Sequence, residues 1–188
     1  MASDDELPAW ARAGRVGWTW TGAARPAFAI TPGPGQESVW DYPRPPLLVA
    51  DSREVVVRID GIEIARTRSS VRLLETSHPP TFYIPRADVA MTYFARSRDG
   101  GSLCEWKGAC TYYDLRVGDR WLPRVAWSYE DPFADASTIA GHLGCYANVL
   151  ECQVGGERVR PQPGDFYGGW ITAEIVGPFK GDPHTRGW

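Results

Sequence analysis

Lysine is almost missing from this chain: of its 20 basic residues only Lys107 and Lys180 are lysine, and the rest are arginine. There is no basic excess either. The formal net charge is −3, which leaves no field to hold a nucleic-acid backbone, so no nucleic-acid partner is expected. Apolar runs extend over only a few residues, far short of a membrane-spanning helix, and no membrane association is expected. The opening stretch MASDDELPAW has neither a basic nor an apolar leader region, so a cytoplasmic location is expected. The four cysteines, Cys104, Cys110, Cys145 and Cys152, do not fall at CxxC spacing, which excludes a zinc knuckle and predicts reduced thiols. No Asp-x-Asp pair for two magnesium ions and no glycine-rich phosphate cradle occurs, and no cofactor is implied.

What is present is aromatic and turn-rich. Nine Trp, eight Tyr, 20 Gly and 16 Pro in 188 residues favour short strands and many turns over long helices. Residues 1–46 form a Pro/Gly/Trp-rich arm without helical or strand period, in which Trp10, Trp18 and Trp20 can dock on the body or clasp a second subunit. Residues 47–160 form a single β-rich domain, and residues 161–188 a C-terminal extension that packs on it.

Within the domain, EVVVRIDGIEIART (54–67) predicts a β-hairpin. Asp60-Gly61 suits a type I′ turn, which needs positive φ at both central residues. A strand ending at Glu75, an extended run at TFYI and a tight turn near Arg86 to Asp88 follow. A strand running through Phe94, a loop at Asp99-Gly100-Gly101 and a strand in CEWKGACTYYDLRV come next. Pro123 demotes the middle of the next strand to an edge or bulge. Residues 131–143 carry the one helical stripe, and 149–160 form a last hairpin at Gly155-Gly156. The expected fold is mainly β, a β-dominated α+β arrangement of two packed antiparallel sheets with one short helix and irregular aromatic-rich arms.

These motifs carry a resemblance. The hairpin, then HPPTFYIPRADVAM, CEWKGACTYYDLRV, AWSYEDP and GHLGCYANVLEC resemble, in order and spacing, the domain-of-unknown-function 427 family over about residues 38–160. The flanks are similar to a subgroup found in actinobacteria and some fungi. The resemblance implies a small β-rich cytosolic domain. It also carries a nucleotidyltransferase label, the source of a third reading as a nucleotide-processing enzyme. Glu75, Tyr83, Pro85, Asp88, Cys104, Lys107, Gly108, Tyr112 and Trp127 stand where the family's recurrent residues do. Cys110 and Cys145 depart from its pattern, which argues against a four-thiolate metal site.

The candidate chemistry centres on CEWKG. A thiol beside an ammonium favours the thiolate, so Cys104 and Lys107 form a candidate catalytic pair, provided a turn at Lys107-Gly108 lets them converge. Glu75 ends an apolar strand and needs a partner such as Lys107, Arg72 or a tyrosine hydroxyl; it is either the third catalytic candidate or half of a structural Glu75–Lys107 ion pair. Tyr83, Tyr112, Trp127, His78 and Asp88 are candidate ligand-binding residues, although Asp88 also suits a turn cap. Strand alternation separates Tyr112 from Tyr113, so the two face opposite ways. The leading functional expectation is an aromatic-lined cleft for a small polar or planar molecule, in either a binding domain or an enzyme. The alternative is an interaction module whose arms clasp a partner subunit as a homo-oligomer.

Overall fold

A computed structural model describes residues 7–185 and 187–188. The strands are β1 (Glu37–Ser38), β2 (Leu47–Asp51), β3 (Val55–Ile59), β4 (Ile62–Thr67), β5 (Ser70–Leu74), β6 (Thr81–Tyr83), β7 (Phe94–Cys104) and β8 (Gly108–Val117). They continue as β9 (Arg120–Ser128), β10 (Leu143–Cys145), β11 (Glu151–Val154), β12 (Glu157–Arg158), β13 (Arg160–Pro161), β14 (Trp170–Ile171) and β15 (Ile175–Val176). Two four-stranded antiparallel sheets, β12-β11-β3-β4 and β10-β9-β8-β7, are joined by a three-stranded antiparallel sheet β2-β5-β6 and by two short ladders, β1-β15 and β13-β14. The β-dominated class expected from composition holds, with the strands divided among more sheets than two. No helix among the described residues is long and apolar enough to cross a membrane.

The hairpin at Asp60-Gly61 forms as its turn chemistry dictates. Ile59 pairs with Ile62, and both central residues have positive φ, 51° at Asp60 and 77° at Gly61. Val55 and Val57 of β3, Ile64 of β4, Tyr113 and Leu115 of β8, Leu143 of β10 and Cys152 of β11 meet between the two four-stranded sheets in the main core. The opposite face of β8 and β9 carries Cys110, Tyr112 and Trp127, which pack against Leu73 of β5 and Tyr83 of β6. Sheet alternation thus sends Tyr113 into the core and Tyr112 to the second face. Pro123 lies in a bulge, where the β8–β9 register shifts between Tyr113 and Leu115 and Arg124 takes φ 50°.

Three local expectations need correction. The stripe at 131–143 forms a 3-10 helix, Ala134–Ile139. Its flanks are pinned: Phe133 N–H donates to Lys107 O, and Gly141 N–H to Tyr129 O, so the short span takes the more extended helix. The arm expected to be irregular holds an α-helix, Ala9–Gly14, whose Ala11 is fully buried and whose Trp10 packs on Phe133 at 5.9 Å. One and a half turns are too few to show a period, and tertiary packing stabilises them. Asp99-Gly100-Gly101 is not a loop between strands but a register shift inside β7, between Arg96 and Gly101. That strand starts only at Phe94, after a 3-10 turn at Met91–Tyr93.

The two ends of the chain close on each other. Trp40, fully buried, packs edge-on against Trp20, Phe28 and Trp188, and its indole N–H donates to Pro178 O. β1 and β15 pair in parallel beside this cluster.

Candidate functional site

The second face of β8 and β9 does not pack shut. It leaves a cavity of about 180 Å³, walled by β5, β6, the β7–β8 hairpin and residues from both ends of the chain. Cys104 ends β7 and Gly108 begins β8, and the two are paired across a three-residue loop. Lys107 N–H donates to Cys104 O at 3.3 Å, and Gly108 takes φ 99°, a conformation that closes this loop and suits glycine. Cys104 and Lys107 therefore both reach the cavity, through the turn anticipated at Lys107-Gly108.

Seven of the eight sequence-derived candidates line this one cavity: Glu75, His78, Tyr83, Cys104, Lys107, Tyr112 and Trp127. Asp88 does not. It sits in the 3-10 turn Arg86–Asp88, and its carboxylate accepts from the Thr67 hydroxyl at 2.6 Å, so it ties the turn to the end of β4 and does not cap its own turn.

The anticipated Glu75–Lys107 ion pair is replaced by another. Glu75 Oε1 accepts from Arg44 Nε at 3.2 Å, while Arg44 also donates to Thr76 O and Trp20 O and stacks on Trp18. A buried carboxylate needs a partner. Arg44 fills that role from the first arm, across a separation no local pattern encodes.

Lys107 is 8% exposed and Lys180 4%, so the chain's two lysines are both buried, and both line the cavity. Lys107 Nζ lies 5.5 Å from the Tyr129 ring centroid, and the Cys104 thiol is its hydrogen-bonding neighbour. Burial works to discharge it, but Cys104, Tyr83 and Glu75 facing it outweigh that and hold its pKa above the usual lysine value. Lys180 Nζ donates to Trp188 O at 2.7 Å; burial and the nearby Arg44 push its pKa below the usual value.

His78 is oriented by Gln162. Gly169 N–H donates to Gln162 Oε1, so Gln162 Nε2 is free to donate to Lys180 O at 2.7 Å and to His78 Nδ1 at 3.0 Å. The His78 proton is thereby assigned to Nε2. Burial, Lys180, Arg44 and Lys107 together hold its pKa well below the ordinary histidine range, so the ring is neutral at neutral pH. Burial also raises the tyrosines: Tyr83 to about 12, and Tyr129, Tyr146 and Tyr167 upward as well. The cavity thus presents two cations, the carboxylates of Glu75 and Glu105, and a set of neutral O–H and N–H donors. No group of three His, Cys, Asp or Glu side chains among the described residues is placed to hold a metal ion.

Trp127 shapes the wall. A Cβ on Gly168 would sit 2.0 Å from its ring and one on Gly144 2.5 Å, so glycine at both positions lets the indole lie flat between them. Lys180, Gln162, Tyr146, Tyr167 and Trp18 were not among the sequence-derived candidates. The rarity of lysine was a signal for Lys180; nothing local marked Gln162 or Trp18.

No curated protein matches this chain. The family described as "Domain of unknown function (DUF427)" matches residues 47–157, more than half of the chain, and the chain belongs to that family.

Proposed function

We propose that this cavity binds a small planar, polar molecule and that such binding is the domain's biochemical role. The carrying observation is that the only two lysines, each more than nine-tenths buried, line the same cavity with Cys104, a neutral His78 and five tyrosines. Burying an ammonium is costly, and a strongly perturbed charged group in a cavity marks a candidate functional site. The volume of about 180 Å³ compares with the ~150 Å³ cavity that accepts benzene, so the guest is of single-ring size. In this reading Lys107 faces an electron-rich substituent, the His78 Nε2–H and tyrosine hydroxyls donate to polar edges, and Trp127 and Tyr83 flank the ring. If chemistry follows binding, Cys104 is the nucleophile beside the Lys107 ammonium, and Glu75, held by Arg44, is a positioning residue. The four free thiols suit a reducing compartment, in keeping with a cytoplasmic protein.

The test is a native mass spectrum of protein purified without chelator, set against its denatured mass, for the wild type and Lys107→Met. A reproducible small-molecule excess that Lys107→Met loses supports the reading. A wild-type mass with no excess, together with no change in melting on adding single-ring acids, phenols or heterocycles, would overturn it.

A further inference from the structure

A second cavity, of about 480 Å³, adjoins the first, and Trp18 and Trp106 line both. Its chemistry differs. Arg12, Arg15 and Arg44 contribute to its wall, and none of its lining residues is acidic. Two buried donors among these residues have no hydrogen-bond acceptor: Arg15 Nη2 and Trp106 Nε1. The two groups stack, with the Arg15 guanidinium 5.1 Å from the Trp106 ring centroid. Buried donors in folded proteins are nearly always paired, so two orphans in one wall call for an acceptor oxygen.

The remaining bonds fix these groups in place. Arg15 Nε donates to Glu105 O at 2.7 Å, and Asp135 lies 3.5 Å from Nη1, which leaves Nη2 as the uncommitted arm of the fork. Trp106, only 6% exposed, has no freedom to turn its N–H to solvent. Arg44 spends its donors on Glu75, Thr76 and Trp20, so it acts here as a charge. Exposed Arg12, tied by Nη1 to Leu7 O, stands as a third cation. Asp135 pairs with Arg15, and Glu75 and Glu105 act on Arg44, so Arg12 is the one of the three arginines with no carboxylate paired to it among the described residues.

We infer that this second cavity binds an oxyanion, the phosphate or carboxylate group of a small molecule, through the Arg15 fork and the Trp106 indole N–H. Guanidinium is the side chain best matched to both groups, by shape and by charge. The inference does not rest on what the first cavity binds.

Calorimetric titration with inorganic phosphate and with acetate, at ionic strength matched by chloride, tests it on the full chain. Three variants accompany the wild type. Trp106→Phe keeps an aromatic ring and deletes the N–H; Arg12→Gln removes an exposed charge from the cavity wall; Arg68→Gln removes an equal charge from an exposed turn that does not line the cavity. Wild-type binding of either anion is expected, weakened about tenfold by Trp106→Phe and less by Arg12→Gln, with Arg68→Gln unchanged. Tighter phosphate identifies a phosphoryl group as the natural guest, and tighter acetate a carboxylic acid. Binding of neither anion, equal binding by wild type and Arg12→Gln, or equal weakening by Arg68→Gln would each overturn the proposal.

Discussion

Arg44 Nε donates to Glu75 Oε1 at 3.2 Å, so a carboxylate on the wall of the first cavity is neutralised by the arm that covers it. Both side chains are nearly sealed from water, 1% and 12% exposed. Removing one partner strands the other. Arg44→Met is expected to cost about 3 kcal/mol, which corresponds to roughly 10 °C in melting temperature for a chain of this size. Glu75→Gln retains an acceptor and should cost less. Thermal denaturation of both variants checks the order.

Lys107 presents a different case, a buried ammonium beside a thiol rather than a carboxylate. Replacing it by Met removes the desolvation penalty together with the stronger attraction of Cys104, Tyr83 and Glu75, so melting should fall, though by less than for Arg44→Met. A drop comparable to that of Arg44→Met would show that Lys107 is a structural ion-pair member.

Cysteine labelling separates the four thiols. Cys110, Cys145 and Cys152 are buried, and burial raises the first two to about 11 and about 12 and the third well above the usual value. Cys104 is only half-buried at the cavity. Iodoacetamide at mildly alkaline pH should add one label to the native protein, at Cys104, and Cys104→Ser should abolish it. Peptide mass mapping reads the site.

Gly168 tests the packing of the wall. A methyl group 2.0 Å from the Trp127 ring forces the indole or the C-terminal segment to move. Gly168→Ala is expected to lower stability by about 1–3 kcal/mol and to change the near-ultraviolet circular dichroism of tryptophan. An unchanged spectrum and melting point would mean that the segment yields freely.

His78 sets an acid limit. Its folded pKa lies well below 6.5, so above that pH the folded and unfolded chains bind equal protons at this site. As pH falls below 6.5 the unfolded chain takes up a proton that the folded one refuses, and stability declines. The window between about pH 6.5 and 5 lies above the ordinary range of most carboxylates, which keeps it readable. Melting should fall across it for the wild type and stay flatter for His78→Gln.

Local signals were legible where the physics is local. Asp60-Gly61 announced its turn because few residues tolerate two positive φ angles in succession, and period-2 alternation correctly parted Tyr112 from Tyr113. The convergence of Cys104 and Lys107 was conditional on one turn, and Gly108 supplies it. What could not be read was set by closure over distance. Arg44 reaches Glu75 across 31 positions, and Gln162 reaches His78 across 84, and neither carries a mark in its own neighbourhood. The short helix in the first arm was hidden for a related reason, since its stability comes from the surface beneath it.

The first cavity takes Trp18 from one end of the chain and Gln162, Phe166, Tyr167 and Lys180 from the other, all outside the family-matched residues 47–157. Its floor belongs to the shared domain and its cover to the arms. Those arms are latched together where Trp40 meets Trp188, so the position of the cover is set by contacts between the two arms as well as by the domain beneath. The shape of this cavity can therefore change through substitutions in the arms alone, with every residue of the shared domain left as it is.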